Sequence, residues 1–230
     1  MDRNALVVNG LTKRYQDFTL DGVSFTVPQG SIVGLIGENG AGKSTTLHAV
    51  LGLIGRDGGT VELLGLPDTA LDDGVRNQIG VVFDGNSYPE MLTPRKLGRV
   101  MGKIYRTWDP DRYAALLQQL ALPADKRIKA LSKGMKMKLA LAVAFSHHAK
   151  LLVLDEATSG LDPMVRDEVL DVFNDFTRQA DHTVVLSSHI VSDLEKICDY
   201  IAFLHRGKLV LFEEKDRLLE EYAIVKLDPQ

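Results

Sequence analysis

The stretch SIVGLIGENGAGKS, from Ser31 to Ser44, decides the fold of this chain. Its first part, Ser31 to Ile36, is almost continuously apolar, which is typical of a β-strand buried on both faces of a sheet. The glycine-rich part that follows leads into a predicted helix beginning near Lys43. A strand, a glycine loop and a helix in this order predict a phosphate-binding site in an α/β fold.

The loop itself, Gly37 to Ser44, matches the pattern G-x-x-x-x-G-K-[ST] at every position. Glycines let the backbone curl so that its N–H groups point at phosphate oxygens. Lys43 is expected to reach the β- and γ-phosphates, and the Ser44 hydroxyl is a hard oxygen ligand suited to Mg²⁺. An ordinary glycine turn with an exposed lysine is the alternative. We predict ATP binding, with contacts from Gly37, Glu38, Asn39, Gly40, Ala41, Gly42, Lys43, Ser44 and Thr45.

A second apolar run, Leu151 to Leu154, ends in the acidic pair Asp155 and Glu156. A buried strand would deliver Asp155 at its C-terminal end, where its carboxylate can hold Mg²⁺ or a water of that ion. Glu156 would face the other way and can polarise an attacking water as general base. Acidic pairs after strands also cap loops, but beside a phosphate loop the pair predicts ATP hydrolysis.

Composition excludes several other classes of protein. The 230 residues carry a net charge of −4 without a Lys/Arg block, so nucleic acid is not an expected partner. The longest apolar run, Leu139 to Phe145, is far shorter than the ~20 residues of a membrane-spanning helix, and the first residues lack an apolar signal segment. A single cysteine, Cys198, excludes an internal disulfide and fits a reducing cytosol. Five of the six histidines lack metal-ligand spacing and are predicted to be structural or solvated: His48, His147, His148, His182 and His205.

A third motif, Leu131-Ser132-Lys133-Gly134-Met135, makes the chain resemble the nucleotide-binding subunit of a bacterial ABC transporter. The resemblance runs from about Tyr15 to Leu211, and the motif stands where that family has its Leu-Ser-Gly-Gly-Gln signature. It implies that Ser132 and Gly134 close over an ATP held by the phosphate loop of a second subunit. Ser132 as a plain helix cap is the alternative, and one chain alone does not distinguish the two.

Three further positions match the family. Ser159-Gly160-Leu161-Asp162 is similar to the loop that crosses the dimer seam, although Asp162 before a proline is also a good helix cap. His189, after a predicted strand, resembles the switch histidine that positions the attacking water. Tyr15 resembles the aromatic residue on which adenine stacks, whereas mere packing is its alternative role.

Two positions depart from the family. Asp84 stands where the family has a glutamine that touches Mg²⁺, and we expect its carboxylate to keep the metal role. In the signature, Lys133 and Met135 replace a glycine and the glutamine. Activity is expected to remain because the two γ-phosphate contacts, Ser132 and Gly134, are present.

The resemblance implies an α/β fold with a P-loop NTPase (RecA-like) core, a mainly parallel sheet, an N-terminal antiparallel β subdomain and an inserted α-helical subdomain. Alternation in the first thirty residues favours the antiparallel flap, and Thr93-Pro94 and Asp109-Pro110 predict two helix starts. We predict one domain, 1–230. Residues 1–84 and 149–230 form its nucleotide-binding core, and residues 85–148 form its helical signature subdomain.

The expected function is ATP-driven transport, most similar to bacterial export cassettes for drugs, antibiotics or peptides. The partners would be a second ATPase subunit, either an identical copy or a paralogue, and separate membrane-spanning subunits. These partners place the chain at the cytoplasmic face of the membrane. Those subunits would dock near residues 85–108, where Tyr88, Met91, Tyr105 and Trp108 suit an interface, although Tyr105 and Trp108 are equally suited to a core. The alternative is a non-transport ATPase in DNA maintenance, repair or translation; against it, the chain has single motif copies and no heptad stretch.

Overall fold

The computed structural model describes residues 4–83 and 88–221. Its strands are β1 (Asn4–Arg14), β2 (Thr19–Pro28), β3 (Ile32–Ile36), β4 (Gly58–Leu63), β5 (Leu66–Pro67), β6 (Ile79–Phe83), β7 (Leu151–Asp155), β8 (Thr183–Ser188), β9 (Tyr200–His205) and β10 (Lys208–Glu214). Its α-helices are α1 (Lys43–Val50), α2 (Asp73–Arg76), α3 (Pro94–Ile104), α4 (Pro110–Gln119), α5 (Lys133–Ser146), α6 (Pro163–Thr177), α7 (Val191–Ile197) and α8 (Lys215–Glu221).

The larger sheet has six strands in the order β10-β9-β3-β8-β7-β6. Strands β9, β3, β8, β7 and β6 are parallel, and only the edge strand β10 runs antiparallel to its neighbour. Every residue of β7 and of β8 is buried, as expected for strands covered on both faces. Because parallel strands share one C-terminal edge, this order brings the ends of β3, β8 and β7 side by side.

The smaller sheet is antiparallel, with the order β2-β1-β4-β5. Its inward side chains, such as Leu6 and Val8, share one apolar cluster with Val33 and Leu35 of the parallel sheet. The turn between β1 and β2 reaches the phosphate loop, because a Cβ added at Gly42 would lie 3.0 Å from the ring of Phe18. The antiparallel sheet therefore packs against the start of α1 through this turn.

The helix starts marked by prolines are confirmed. Thr93 accepts a hydrogen bond from the Lys96 amide at 3.3 Å, and Pro94 opens α3. Asp109 accepts from the Arg112 amide at 2.8 Å, and Pro110 opens α4. A capping side chain followed by proline satisfies amides that lack a partner within the helix and presets its first turn.

Helices α3, α4 and α5 enclose an apolar cluster of their own that includes Leu97, Leu117 and Leu139. Tyr105 and Trp108 are half-buried and pack against this cluster. The Tyr105 ring stacks on His147 with centroids 4.1 Å apart, and burial lowers the pKa of that histidine. Both aromatic rings thus contribute to core packing, while the domain boundaries at 84 and 149 stay predictions.

None of the helices in the described ranges is both long enough and apolar enough to span a membrane.

Candidate functional site

The phosphate loop connects the end of β3 to the start of α1, and its glycines are required by its shape. Gly40 and Gly42 have φ angles of 82° and 109°, in the region that disfavours residues with a side chain. A Cβ at Gly37 would lie 2.4 Å from the Leu204 carbonyl oxygen. The loop therefore lines the space at the N-terminus of α1 with backbone rather than with side chains. A helix N-terminus favours a bound anion.

Lys43 is buried, and its ammonium lies among oxygen atoms. Its Nζ donates to the carbonyl oxygens of Gly37 and Glu38, at 2.8 and 3.3 Å, and lies 3.4 Å from Glu156 Oε1. These contacts hold the ammonium group at the base of the loop, next to the predicted general base.

Ser44 and Asp155, the two predicted metal ligands that the structure describes, are joined by a hydrogen bond. The Ser44 hydroxyl donates to Asp155 Oδ1 at 3.0 Å, and the Ser187 hydroxyl donates to the same oxygen at 2.5 Å. His48 Nε2 lies 3.7 Å from the other carboxylate oxygen, Oδ2. A hydroxyl and a carboxylate are hard oxygen donors, so the donor set fits Mg²⁺.

Glu156 has a left-handed backbone, with a φ of 50°. Its amide donates to the carbonyl oxygen and to the hydroxyl of Ser187, at 3.2 and 3.0 Å. One carboxylate oxygen faces Lys43, as described above, and the other lies 2.7 Å from His189 Nδ1. The structure therefore brings the three predicted catalytic groups, Lys43, Glu156 and His189, into one connected cluster.

These groups open into a cavity of about 640 Å³. Its lining includes predicted positions in the phosphate loop together with Glu156 and His189. It also includes Asp17 and Phe18, which the sequence did not single out, and Ser159, the first residue of the predicted dimer-seam loop. The full lining is Asp17, Phe18, Asn39, Gly40, Gly42, Lys43, Ser44, Thr45, Glu156, Ser159 and His189.

Tyr15, the predicted adenine platform, lies beside this cavity rather than in its lining. Its side chain is 48% exposed, its ring centroid lies 6.4 Å from that of Phe18, and its amide donates to the Phe18 carbonyl at 2.8 Å. Phe18 is therefore the aromatic residue that reaches the cavity, and Tyr15 extends the same aromatic edge outward.

The signature residues are held apart from the cavity lining. Ser132 caps α5 by accepting from the Met135 amide at 3.2 Å, and Asp162 caps α6 by accepting from the Val165 amide at 3.1 Å. The two helix starts touch each other, since a Cβ at Gly134 would lie 2.5 Å from Val165. Ser132, Gly134 and Asp162 thus form a second cluster, separate from the phosphate loop of their own chain.

Asp84, the remaining predicted metal ligand, lies outside the described residues. Among the others, Ser187 is the functional candidate that sequence reasoning missed. It belongs to none of the motifs, and its contact with Asp155 depends on the pairing of β7 with β8.

A family model described as "ABC transporter" matches residues 20–159 of the chain. The ABC transporter ATP-binding protein YtrB of Bacillus subtilis is 31% identical over 90% of this chain and 71% of its own length. The Nod factor export ATP-binding protein I of a Rhizobium species is 34% identical over 96% of this chain and 75% of its own length. The bacitracin transport ATP-binding protein BcrA of Bacillus licheniformis is 32% identical over 87% of this chain and 66% of its own length.

Two solved structures share the architecture. One, described as the ATP binding subunit of an ABC transporter, superposes with a TM-score of 0.84 at 28% identity, covering 94% of this chain and 92% of that one. The other is cbiO1 from Clostridium perfringens, described as part of the complex cbiONQ, with a TM-score of 0.80 at 25% identity, covering 96% and 92%. The predicted fold class is confirmed.

Proposed function

Since this chain belongs to the ABC transporter family, as an ATP-binding subunit that hydrolyses ATP to power transport, we propose that two copies close around two ATP molecules and drive export through separate membrane-spanning subunits. The observation that carries the proposal is the separation of two clusters. Lys43, Glu156 and His189 surround one cavity, while Ser132 and Gly134 lie outside its lining. The family membership favours transport over the alternative in DNA maintenance or translation.

The cavity residues account for hydrolysis as follows. The carboxylate of Glu156 takes a proton from a water molecule, and the water oxygen attacks the γ-phosphorus of ATP. The bond from that phosphorus to the oxygen of the β-phosphate breaks, which releases ADP and phosphate. Lys43 balances the negative charge of the β- and γ-phosphates, and His189 holds the Glu156 carboxylate in position.

Mg²⁺ is part of the proposal. Ser44 and Asp155 would hold it, because their oxygens lie together where β7 ends, and we keep Asp84 as a third ligand. In that position the ion would neutralise negative charge on the phosphates.

A second copy of the chain supplies the remaining contacts to the γ-phosphate of ATP. The Ser132 hydroxyl and the N-terminus of α5 are donors suited to an anion. The Ser159–Asp162 segment lies between the two clusters, since Ser159 lines the cavity whereas Asp162 caps α6 beside the start of α5. In a twofold-symmetric pair each copy would contribute one phosphate loop and one signature to each of two sites. Hydrolysis therefore requires pairing.

Mixing two inactive variants tests this arrangement. Lys43→Ala removes the phosphate-loop cation, and Ser132→Arg blocks the signature. Each variant alone is expected to lose ATPase activity, because both of its sites are damaged. In an equal mixture, half of the pairs carry one intact site, so phosphate release should recover to about a quarter of the wild-type rate. No recovery from a mixture in which both variants remain folded and exchange partners would contradict the shared site.

A groove between α3 and α4 supports docking of a membrane-spanning subunit. Its volume is about 890 Å³, and its lining includes the aromatic rings of Trp108 and Tyr113. Gly98 and Gly102 let these rings approach α3, since added Cβ atoms would lie 2.5 Å from Tyr113 and 3.0 Å from Trp108. The groove lies partly within the predicted docking range, 85–108, and extends it onto α4.

Three cations rim this groove. Arg95, Arg99 and Lys103 stand four residues apart on α3 and all belong to the lining, which includes no acidic residue of the described chain. Arg95 is paired with Asp125 at 2.8 Å. Cations one helical turn apart match carboxylates at the same spacing on a docked helix. We therefore expect an amphipathic, acidic cytoplasmic segment of the membrane-spanning subunit as the occupant.

Charge reversal at Arg99 and Lys103 tests the docking surface. The double variant Arg99→Glu, Lys103→Glu should reduce copurification with the membrane-spanning subunit about tenfold or more, because like charges would then face each other. ATP binding by the isolated chain should not change. Arg178→Glu, Lys208→Glu is the matched control, since it reverses the same two charge types on exposed residues elsewhere. Equal copurification of both double variants would place the docking surface elsewhere.

Export as the direction is supported by two relatives, one named for Nod factor export and one for bacitracin transport. An ATPase that serves membrane-spanning subunits lies on the side of the membrane that supplies ATP, so we place the chain at the cytoplasmic face.

A further inference from the structure

We propose that Ser187 is a positioning residue for ATP hydrolysis, because its single hydroxyl group orients both Asp155 and Glu156. This inference rests on the proposed function of the cavity. It adds a residue that none of the motifs discussed above includes: Ser187 precedes His189 by two positions and is completely buried.

The pairing of β7 with β8 places Ser187 directly beside Asp155. Its hydroxyl donates to Asp155 Oδ1 at 2.5 Å and accepts from the Glu156 amide at 3.0 Å. One oxygen atom is thus hydrogen-bonded to two consecutive residues with different predicted roles. Since the site is buried, the geometry of these bonds is held by the packing of the strands around them.

At Asp155, Ser187 completes a pair of donors. The Ser44 hydroxyl donates to Oδ1 from the phosphate loop, and Ser187 donates to the same oxygen from β8. Two donors from different elements restrict rotation of the carboxylate about its χ2 angle. The orientation of Asp155 toward a metal ion would therefore depend on Ser187.

At Glu156, Ser187 supports an uncommon backbone conformation. A φ of 50° is rarely adopted by a residue with a side chain, and it turns the chain where β7 ends. Both acceptors of the Glu156 amide belong to Ser187, its carbonyl oxygen and its hydroxyl. Removing the hydroxyl would leave one acceptor and loosen the residue whose carboxylate meets Lys43 and His189.

The variant Ser187→Ala tests the proposal against Ser146→Ala. Ser146 is also completely buried, but its hydroxyl donates only to the Ala142 carbonyl, at 2.6 Å, in α5. We expect Ser187→Ala to lower kcat about 10- to 100-fold, as for loss of a hydrogen bond to a charged group, with a smaller effect on KM. Ser146→Ala should retain kcat within about twofold while losing comparable thermal stability.

A binding measurement separates positioning from mere stability. With a fluorescent ATP analogue in EDTA, Ser187→Ala should bind as tightly as wild type, because the phosphate loop is intact. With Mg²⁺ present, the gain in affinity should be several-fold smaller than in wild type, because Asp155 is less well oriented. Binding does not require pairing or turnover, so this result stands even if the proposed function of the whole chain fails.

The pair Ser187→Thr and Ser187→Val isolates the hydroxyl, because the two side chains have nearly the same shape. The threonine variant should keep at least about tenfold more activity than the valine variant. The proposal is overturned if the two variants have equal kcat, or if Ser187→Ala and Ser146→Ala reduce kcat and the Mg²⁺-dependent gain in affinity alike.

Discussion

Replacing Glu156 by glutamine is expected to slow ATP hydrolysis about 10²- to 10⁴-fold, the range of a lost general base. The amide keeps the size of the carboxylate and can still accept one hydrogen bond, so the position between Lys43 and His189 is preserved. It cannot take a proton from water. ATP binding should persist, because the phosphate loop contacts are unchanged.

The same variant should hold the chain in its paired form. If two copies close around ATP, a variant that binds without hydrolysing accumulates as an ATP-dependent dimer, measurable by size-exclusion chromatography beside a phosphate-release assay. Glu168→Gln is the matched control, because Glu168 is an exposed carboxylate paired with Lys138 on the outside of α6. Turnover by Glu156→Gln at the rate of this control would refute the assignment of the base.

Replacing Lys43 by alanine is expected to lower kcat/KM for ATP about 100-fold or more. Its ammonium is buried at the base of the loop, where the reduced dielectric strengthens its attraction to phosphate. Unlike Glu156→Gln, this change should also weaken ATP binding, because the charge acts on the bound nucleotide as well as on the transition state. The carboxylate of Glu156 would lose its cationic neighbour at the same time.

Isothermal titration with ATP and a phosphate-release assay measure the two parts of this effect. Lys150→Ala is the control, since Lys150 makes an exposed ion pair with Asp181 at 2.8 Å and lies outside the cavity lining. Such pairs contribute little, so the control should stay close to wild type. Unchanged ATP affinity in a folded Lys43→Ala variant would assign ATP binding to the backbone of the loop alone.

Most predictions of the fold and of the site rest on motifs of residues that are consecutive in the chain. The loop from Gly37 to Ser44, the acidic pair after β7 and the proline-marked starts of α3 and α4 each depend on residues that are neighbours in the chain. Local chemistry decides such features: glycine permits the curled backbone, and a capping side chain followed by proline begins a helix. These elements therefore follow from the order of the amino acids.

Contacts between distant segments were not predictable in this way. That Phe18 rather than Tyr15 lines the cavity depends on how the antiparallel sheet packs on Gly42. The aromatic rings of Tyr105 and Trp108 suited a core and an interface equally well in the sequence. Only the structure shows that both pack against the cluster of α3 to α5 and that Trp108 also lines the groove between α3 and α4. Composition and spacing specify which side chains are available, but not which of them meet.

Ser187 makes such a contact between distant segments within the candidate site. The sequence establishes that a phosphate loop, a carboxylate pair and a histidine are present, because each follows an apolar run that forms a buried strand. Which hydroxyl orients the carboxylates was decided by tertiary structure. The register of β7 and β8 pairs Asp155 with Ser187, which lies 32 residues later in the chain. A shift of this register by one residue would turn the Ser187 side chain to the other face of the sheet.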